Sequence, residues 1–454
     1  MPFDIIIGRN ESDKKAFGNR GLAFIGKSFV TMGNYTSLSN PIFMDVARPH
    51  VILVSGKRGS GKSYSLGTIA EALSNLGVEE SGNIAPLIFD TMGIFWTMKY
   101  KNAKDEVLLD EWGLTAKNIP MRVFAPFGYY QEYKDKGIDV DAEFAIKISE
   151  LDATDWVALF ELEFVDPIAV TIESVIGELR ESARNSVPSK MGTGVPSSSG
   201  KNSFGFEDIY NLIRRAENVS QEVKNSAMAL FDAARSWRVF DEEKGTSVRD
   251  LISAGRTTVI DLSMYASLGT FNVRALIISL VSKKIFNERM SSRKDEEIQA
   301  VQHGADYTRY KIKREVPLVW IFIDEAHEFL PRDGRTPATD ALVQILREGR
   351  QPGISIVMAT QQPGKIHTDA MTQSDIIISH RVTAKLDVDA LNDITQSYMY
   401  SKISEKINGL PRLKGSAIIL DDNSERIYPM RIRPRWTWHG GEAPTAIKKV
   451  DEEL

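Results

Sequence analysis

The stretch VILVSGKRGSGKSYSLGTIAEAL, residues 51–73, decides the fold. Its centre, Gly56 to Ser63, has the spacing G-x-x-x-x-G-K-S of a phosphate-binding loop. Glycines at positions 56, 59 and 61 let consecutive backbone N–H groups turn inward around phosphates. Lys62 is placed to reach the β- and γ-phosphates, and Ser63 to offer its hydroxyl to Mg²⁺. Gly56, Gly59, Ser60, Gly61, Lys62, Ser63 and the adjoining Tyr64 are therefore the expected nucleotide-binding residues. Both flanks agree: Val51–Val54 reads as a buried strand, and Leu66, Ile69, Ala70 and Leu73 recur as one face of a helix. The N-terminus of that helix adds partial positive charge to the phosphate site.

Working outward, apolar runs at 86–89, 257–262, 318–323, 354–359 and 376–379 alternate with helical patterns. Runs this continuous belong to strands buried on both faces, so the expected fold is α/β with a mostly parallel sheet. Residues 1–48 read as a small N-terminal β module. The core occupies 49–134 and 246–435, the second part ending in a hairpin around Asp421-Asp422-Asn423, with a tail over 436–454. Residues 135–245 have helical periodicity and form a helical insertion. Within it, 186–203 is rich in Ser, Gly and Pro and reads as a linker. The charged stretch 291–315 is expected to be an exposed break between a helix and the strand at Leu318.

Composition bounds the rest. The 454 residues carry a net charge of −5, so any DNA contact must come from a local patch or a lined channel. There are no cysteines, which removes disulfides, thiol nucleophiles and cysteine metal sites. No apolar run reaches the length of a membrane span, and the first residues lack signal-peptide order, so a soluble cytoplasmic protein with no membrane association is expected.

The strand Leu318–Ile323 runs into Asp324-Glu325, which places two carboxylates at the edge where open α/β sheets bind ligands. Asp324 is placed to hold Mg²⁺ with Ser63, and Glu325 to polarise the water that attacks the γ-phosphate. The next strand ends in Thr360-Gln361-Gln362, and Gln361 there can bond both the γ-phosphate and the water. Between these strands, Arg347 and Arg350 lie three residues apart near a helix end. A permanently charged guanidinium suits a transition-state clamp, and it equally suits a solvated helix terminus.

Taken together, SGKRGSGKS, IFIDEAHEFLP, LVQILREGRQPGISIVMATQQP, SDIIISHRVT and LPRLKGSAIILDDNSERIYPMRIRPR resemble the HerA/FtsK superfamily of ring-forming DNA-pumping ATPases, with HerA the closer likeness. That resemblance implies a RecA-like P-loop core, an N-terminal HerA-type barrel, a homohexamer and ATP sites between subunits. It makes Arg350 the arginine finger acting in trans, Gln361 the sensor and Arg381 a second arginine near the nucleotide, and it matches Asp90 to a family aspartate. The short N-terminal module departs from the family, leaving the barrel incomplete or rearranged. DEAH at 324–327 also suggests superfamily 2 helicases, but their S-A-T and Q-x-x-G-R-x-G-R motifs are missing. The implied function is ATP-driven translocation of double-stranded DNA with a NurA-like nuclease or another effector, in DNA end processing or antiviral defence. The alternative is an ATPase ring that scaffolds and regulates an effector. Arg332 and Arg335 are placed where pore-facing loops often emerge.

Overall fold

The structure is a computed structural model that describes residues 3–32, 35–185, 203–266, 271–303, 314–382, 384–395, 406–407 and 409–442. The strands are β1 (Ile5–Ile7), β2 (Leu22–Met32), β3 (Tyr35–Asp45), β4 (Val51–Ser55), β5 (Ile84–Asp90), β6 (Met121–Pro126), β7 (Ala142–Phe144), β8 (Ile146–Lys147), β9 (Phe240–Asp241), β10 (Thr257–Asp261), β11 (Leu318–Ile323), β12 (Ile354–Thr360), β13 (Ile376–His380), β14 (Ser416–Asp421) and β15 (Arg426–Ile432). Among the described residues, all but β8 and β9 join one sheet in the order β1-β3-β2-β15-β14-β13-β4-β12-β11-β5-β10-β6-β7. From β13 to β7 every neighbouring pair is parallel, as the continuous apolar runs required.

Alternation of side chains across the pleat builds a core on each face. Ile52, Val54, Phe322, Val357 and Ile378 pack with Leu66 and Ile69 of the phosphate-loop helix, Lys62–Leu73. Leu53, Ile321, Ile323, Ile356 and Met358 face the other way, against Ile277 of the long helix Phe271–His303 and Leu342 and Ile345 of the helix Thr339–Glu348.

The N-terminal strands extend this sheet. β2 pairs with β3 and with β15, β3 pairs with β1, and among the described residues no pairing joins β1 back to β15. The barrel implied by the family resemblance is thus not seen in these strands. Three strands, one of them three residues long, are too few to close on themselves, and the free edge of β15 satisfies their backbone instead.

Four helices, Ala153–Leu159, Pro167–Asn185, Phe206–Arg215 and Gln221–Ser236, pack around the buried Trp156. Phe231 and Phe240 lie 5.0 and 5.2 Å from its ring. The linker expected at 186–203 lies, apart from Ser203, outside the described residues. The charged stretch expected as an exposed break from Ser291 continues the long helix to His303 instead. Arg293 pairs with Glu296 and Glu297 at helical spacing, and Ser292 and Glu296 are buried.

After β15 the chain crosses the phosphate-loop helix. The fully buried Glu71 accepts from Arg433 Nη1 at 2.6 Å, from the backbone N–H groups of Trp436 and Thr437, and from the Thr437 hydroxyl. Each oxygen of this buried carboxylate thus meets two donors, which offsets the cost of its burial.

A second buried polar knot joins the start of β4 to that of β13. His50 sits between Asp375 Oδ2, 2.6 Å from Nδ1, and Asp45 Oδ2, 3.3 Å from Nε2. Burial alone would lower the imidazole pKa, but Asp375 and Asp45 outweigh it and raise it from 6.5 to about 9. A folded-state pKa above the unfolded one means that the stabilisation is complete below about 6.5 and is lost as pH rises through about 9. Urea midpoints measured across that window should fall for the wild type, and the fall should be much smaller for His50→Gln.

Candidate active site

The phosphate loop joins β4 to its helix at the C-terminal edge of the sheet, and its shape depends on two glycines. Gly59 and Gly61 hold φ of 74° and 106°, where a side chain would be strained. Lys62 is buried, and its amine donates to the Lys57 carbonyl at 3.3 Å. Burial pushes its pKa down, and Glu325 and Asp324 pull it back up. Behind the loop His380, at the end of β13, is fully buried and its pKa falls to about 4. The Ser416 carbonyl, 3.1 Å from its Nδ1, can only accept, so Nδ1 carries the proton. Nε2 is left to accept from the Ser65 hydroxyl at 2.8 Å.

β11 lies one strand beyond β12 from β4, and it delivers the carboxylates to this same edge. The Ser63 hydroxyl donates to Asp324 Oδ2 at 2.5 Å. Asp324 is buried, and burial raises its pKa while the Ser63 bond lowers it. Glu325 adopts φ 50° and ψ 44°, a left-handed conformation that costs a non-glycine residue roughly 1–2 kcal/mol. This twist turns Glu325 away from Asp324 to meet Gln361 at the end of β12, whose Nε2 donates to Glu325 Oε1. Strain of this kind concentrates at working sites.

The other carboxylate oxygen, Glu325 Oε2, is buried with no hydrogen-bond partner among the described residues, and so is the Ser60 hydroxyl. Lys62, whose amine bonds a loop carbonyl, the hydroxyl–carboxylate pair of Ser63 and Asp324, and these two oxygens without hydrogen-bond partners among the described residues fit a nucleoside triphosphate with Mg²⁺ and a water beside the terminal phosphate.

The remaining expected residues divide. The Arg381 carbonyl accepts from Lys57 N–H at 3.1 Å, so Arg381 borders the loop. The Tyr64 hydroxyl accepts from Arg435 N–H at 2.7 Å, and its ring lies 5.2 Å from His439, which ties it to the crossing chain. Asp90, in register with Asp261, is buried and accepts from the N–H groups of Met92, Gly93 and Phe95. Burial and the neighbouring Asp261 push its carboxyl pKa up. Arg347 pairs with Asp369 at 2.7 Å. Arg350 is elsewhere. It precedes β12, whereas the phosphate loop and Gln361 lie past the other end of the same seven-residue strand, about 20 Å away. It is exposed, and among the described residues no ion pair or hydrogen bond is recorded for it.

The family model for the central domain of helicase HerA matches residues 30–285, more than half of the chain. This chain belongs to the HerA central-domain family. It is 28% identical over 180 residues to the DNA double-strand break repair helicase HerA of Pyrococcus furiosus, covering 37% of this chain and 31% of that protein. To the probable HerA of Methanocaldococcus jannaschii it is 26% identical over 203 residues, covering 41% and 39%. The chain thus matches only about a third of the length of these HerA proteins. Among solved structures, VirB4 of Thermoanaerobacter pseudethanolicus superposes with a TM-score of 0.53 at 10% identity, covering 91% of this chain and 97% of that one. The bacterial conjugative coupling protein TrwB, in a form with sulphate, superposes at 0.50 with 12% identity and 87% of each chain. Both are likenesses of fold, and they agree with the expected α/β RecA-like core and its mostly parallel sheet.

Sequence reasoning missed His380, His327 and Gln362. Burial lowers the His327 pKa; its Nδ1 lies 3.2 Å from the Thr360 hydroxyl and its Nε2 3.3 Å from Gln362 Nε2, behind Glu325. No spacing rule joins these positions, because only the strand order makes them neighbours. His327 was visible inside DEAH, and a strand-end histidine beside the loop strand was the one signal for His380.

Lys62→Ala should abolish or greatly weaken binding of a fluorescent ATP analogue, whereas Glu325→Gln should bind it as the wild type does. Fluorescence titration of both variants checks this pair of outcomes.

Proposed function

We propose that the protein hydrolyses ATP at the interfaces of a homohexameric ring and uses the cycle to move double-stranded DNA through it, working with a NurA-like nuclease or another effector. The position of Arg350 carries this reading. One subunit gathers Lys62, Ser63, Asp324, Glu325 and Gln361 at one sheet edge and holds Arg350 at the other, so Arg350 can act as a clamp only at a neighbour's site.

In the proposed mechanism, the loop N–H groups and Lys62 hold the β- and γ-phosphates. Ser63 and Asp324 would hold Mg²⁺, which would supply positive charge to offset that of the phosphates. Glu325 Oε2 takes the proton of a water whose oxygen attacks the γ-phosphorus, and the bond to the bridging oxygen breaks with its electron pair leaving on ADP. Gln361 holds Glu325 through Oε1 and orients the water. The neighbour's Arg350 neutralises charge developing on the transferred group.

The name of the Pyrococcus relative, a double-strand break repair helicase, supports DNA as the substrate. With a net charge of −5, DNA contact must be local. Arg335, exposed and 3.6 Å from Asp340, and Arg332, whose N–H is bound to the Lys365 carbonyl, are candidates on the loop after β11.

Glu325→Gln should trap ATP without turnover, and wild-type phosphate release by that variant overturns its assignment. Duplex DNA should accelerate ATP turnover with strong salt dependence. Unchanged turnover at low salt, with and without a partner, supports an ATPase ring that acts as a scaffold instead. Arg350→Ala should retain nucleotide binding and lose about 10³- to 10⁵-fold in hydrolysis. Mixing it with Lys62→Ala subunits should recover part of the activity, since some interfaces regain an intact pair, and no recovery in rings verified by native mass spectrometry argues against action in trans.

A further inference from the structure

Arg350 is the second residue of a five-residue connection, Gly349-Arg350-Gln351-Pro352-Gly353, between the helix Thr339–Glu348 and β12. The ends of this connection are tied by backbone bonds. Ile354 N–H donates to the Gly349 carbonyl at 2.8 Å, and Val319 N–H donates to the Gly353 carbonyl at 3.2 Å. Its middle is held by a side chain from another element. Arg289, on the long helix Phe271–His303, is 1% exposed, and its Nε donates to the Pro352 carbonyl at 2.8 Å.

Nη1 of that guanidinium is committed as well. Nη1 donates to the Val316 carbonyl at 2.7 Å, and to the Ser292 hydroxyl and Glu296 Oε1, each at 3.2 Å. Glu296 is buried and also faces Arg293 at 3.4 Å and Arg314 at 3.7 Å. A buried arginine normally meets a carboxylate in a bidentate fork. Here the two shortest bonds go to main-chain carbonyls on two separate segments, the one after Arg350 and the one leading into β11. The packing leaves little slack: a Cβ on Gly353, which sits at φ 86°, would press on Leu318 and on the Arg289 guanidinium. Outside this anchored base, Arg350 lines an open cleft of about 730 Å³ with Arg48, Arg293 and Lys294.

We propose that Arg289 is a positioning residue for Arg350: its planar fork sets the Pro352 carbonyl against the root of β11, and so fixes where the finger projects toward a neighbouring subunit's nucleotide. This rests on the reading of Arg350 as a finger in trans. Arg289 touches no substrate in this arrangement. Lysine cannot replace it, because a single ammonium on a flexible stem does not hold two carbonyls of different segments in one plane.

The test compares Arg289→Gln, Arg350→Ala and the double variant in the full chain by single-turnover hydrolysis, with nucleotide affinity and thermal unfolding measured on each. Arg289→Gln should lower the hydrolysis rate about tenfold to a hundredfold, the scale of a small misplacement of a catalytic group. Its nucleotide affinity should be unchanged, since the binding site is at the other edge of the sheet. In the Arg350→Ala background the same substitution should cost nothing further, and a merely structural role for Arg289 would add its loss in both backgrounds. If Arg289→Gln does not fold, Arg289→Lys, which keeps the charge but not the planar fork, carries the same comparison with the same expected loss. An unchanged rate in a folded Arg289 variant, or a loss that persists without Arg350, overturns the proposal. Wild-type hydrolysis by Arg350→Ala would instead overturn the finger reading itself, so the two failures are told apart.

Discussion

Parallel pairing of β12 with both β4 and β11 is the constraint on which the rest of the molecule depends. Because the three strands run the same way, their C-terminal ends place the phosphate loop, Gln361 and the Asp324-Glu325 pair along one edge. The helix that links β11 to β12 must return to the opposite edge, as every parallel crossover does. Arg350 comes at the end of that return. Its separation from the phosphate loop is therefore a consequence of topology, and no change of rotamer could bring it back to the phosphate loop of its own chain.

Three clusters of polar groups are buried around this frame at considerable desolvation cost, and each ties separate segments together. Glu71 binds Arg433 and the backbone of the crossing segment. His50 bridges two aspartates, and Arg289 ties two strand-entry segments. Removing one member of such a set leaves the others buried and unpaired, which is far more costly than losing an exposed pair. At the phosphate-loop edge, Glu325 Oε2 and the Ser60 hydroxyl have no hydrogen-bond partner among the described residues, and Glu325 holds a strained backbone.

The long helix Phe271–His303 is in contact with both edges. Near its start Arg274 lies 3.3 Å from Glu328, one turn after the strained Glu325, and fifteen residues later Arg289 holds the connection after Arg350. A helix rises about 1.5 Å per residue, so these two contacts are about 22 Å apart on one continuous element. The carboxylate turn and the base of Arg350 are thus both attached to the same helix.

Much of this was legible in the chain alone. The phosphate loop could be read because its chemistry is local: backbone N–H groups, a lysine and a serine within eight residues. The mostly parallel sheet could be read because burial on both faces demands uninterrupted apolar runs. Asp324, Glu325 and Gln361 could be read because strand ends are marked by the switch from apolar to polar residues. The charged half of the long helix misled, because its buried Ser292 and Glu296 look like surface residues until Arg289 and Arg314 are folded against them. Sequence by itself determined most of the parallel strands, though not β6 or the short β7, β8 and β9 inside the expected helical insertion, and which side chains have the chemical type for phosphate work, since both depend on neighbours within a few residues. Only the tertiary structure decided that His380 and His327 flank the site, that the N-terminal strands join β15, and that Arg350 stands at the far edge on an arginine anchor. Those facts depend on strand order, and strand order is set by which edges and faces bury one another.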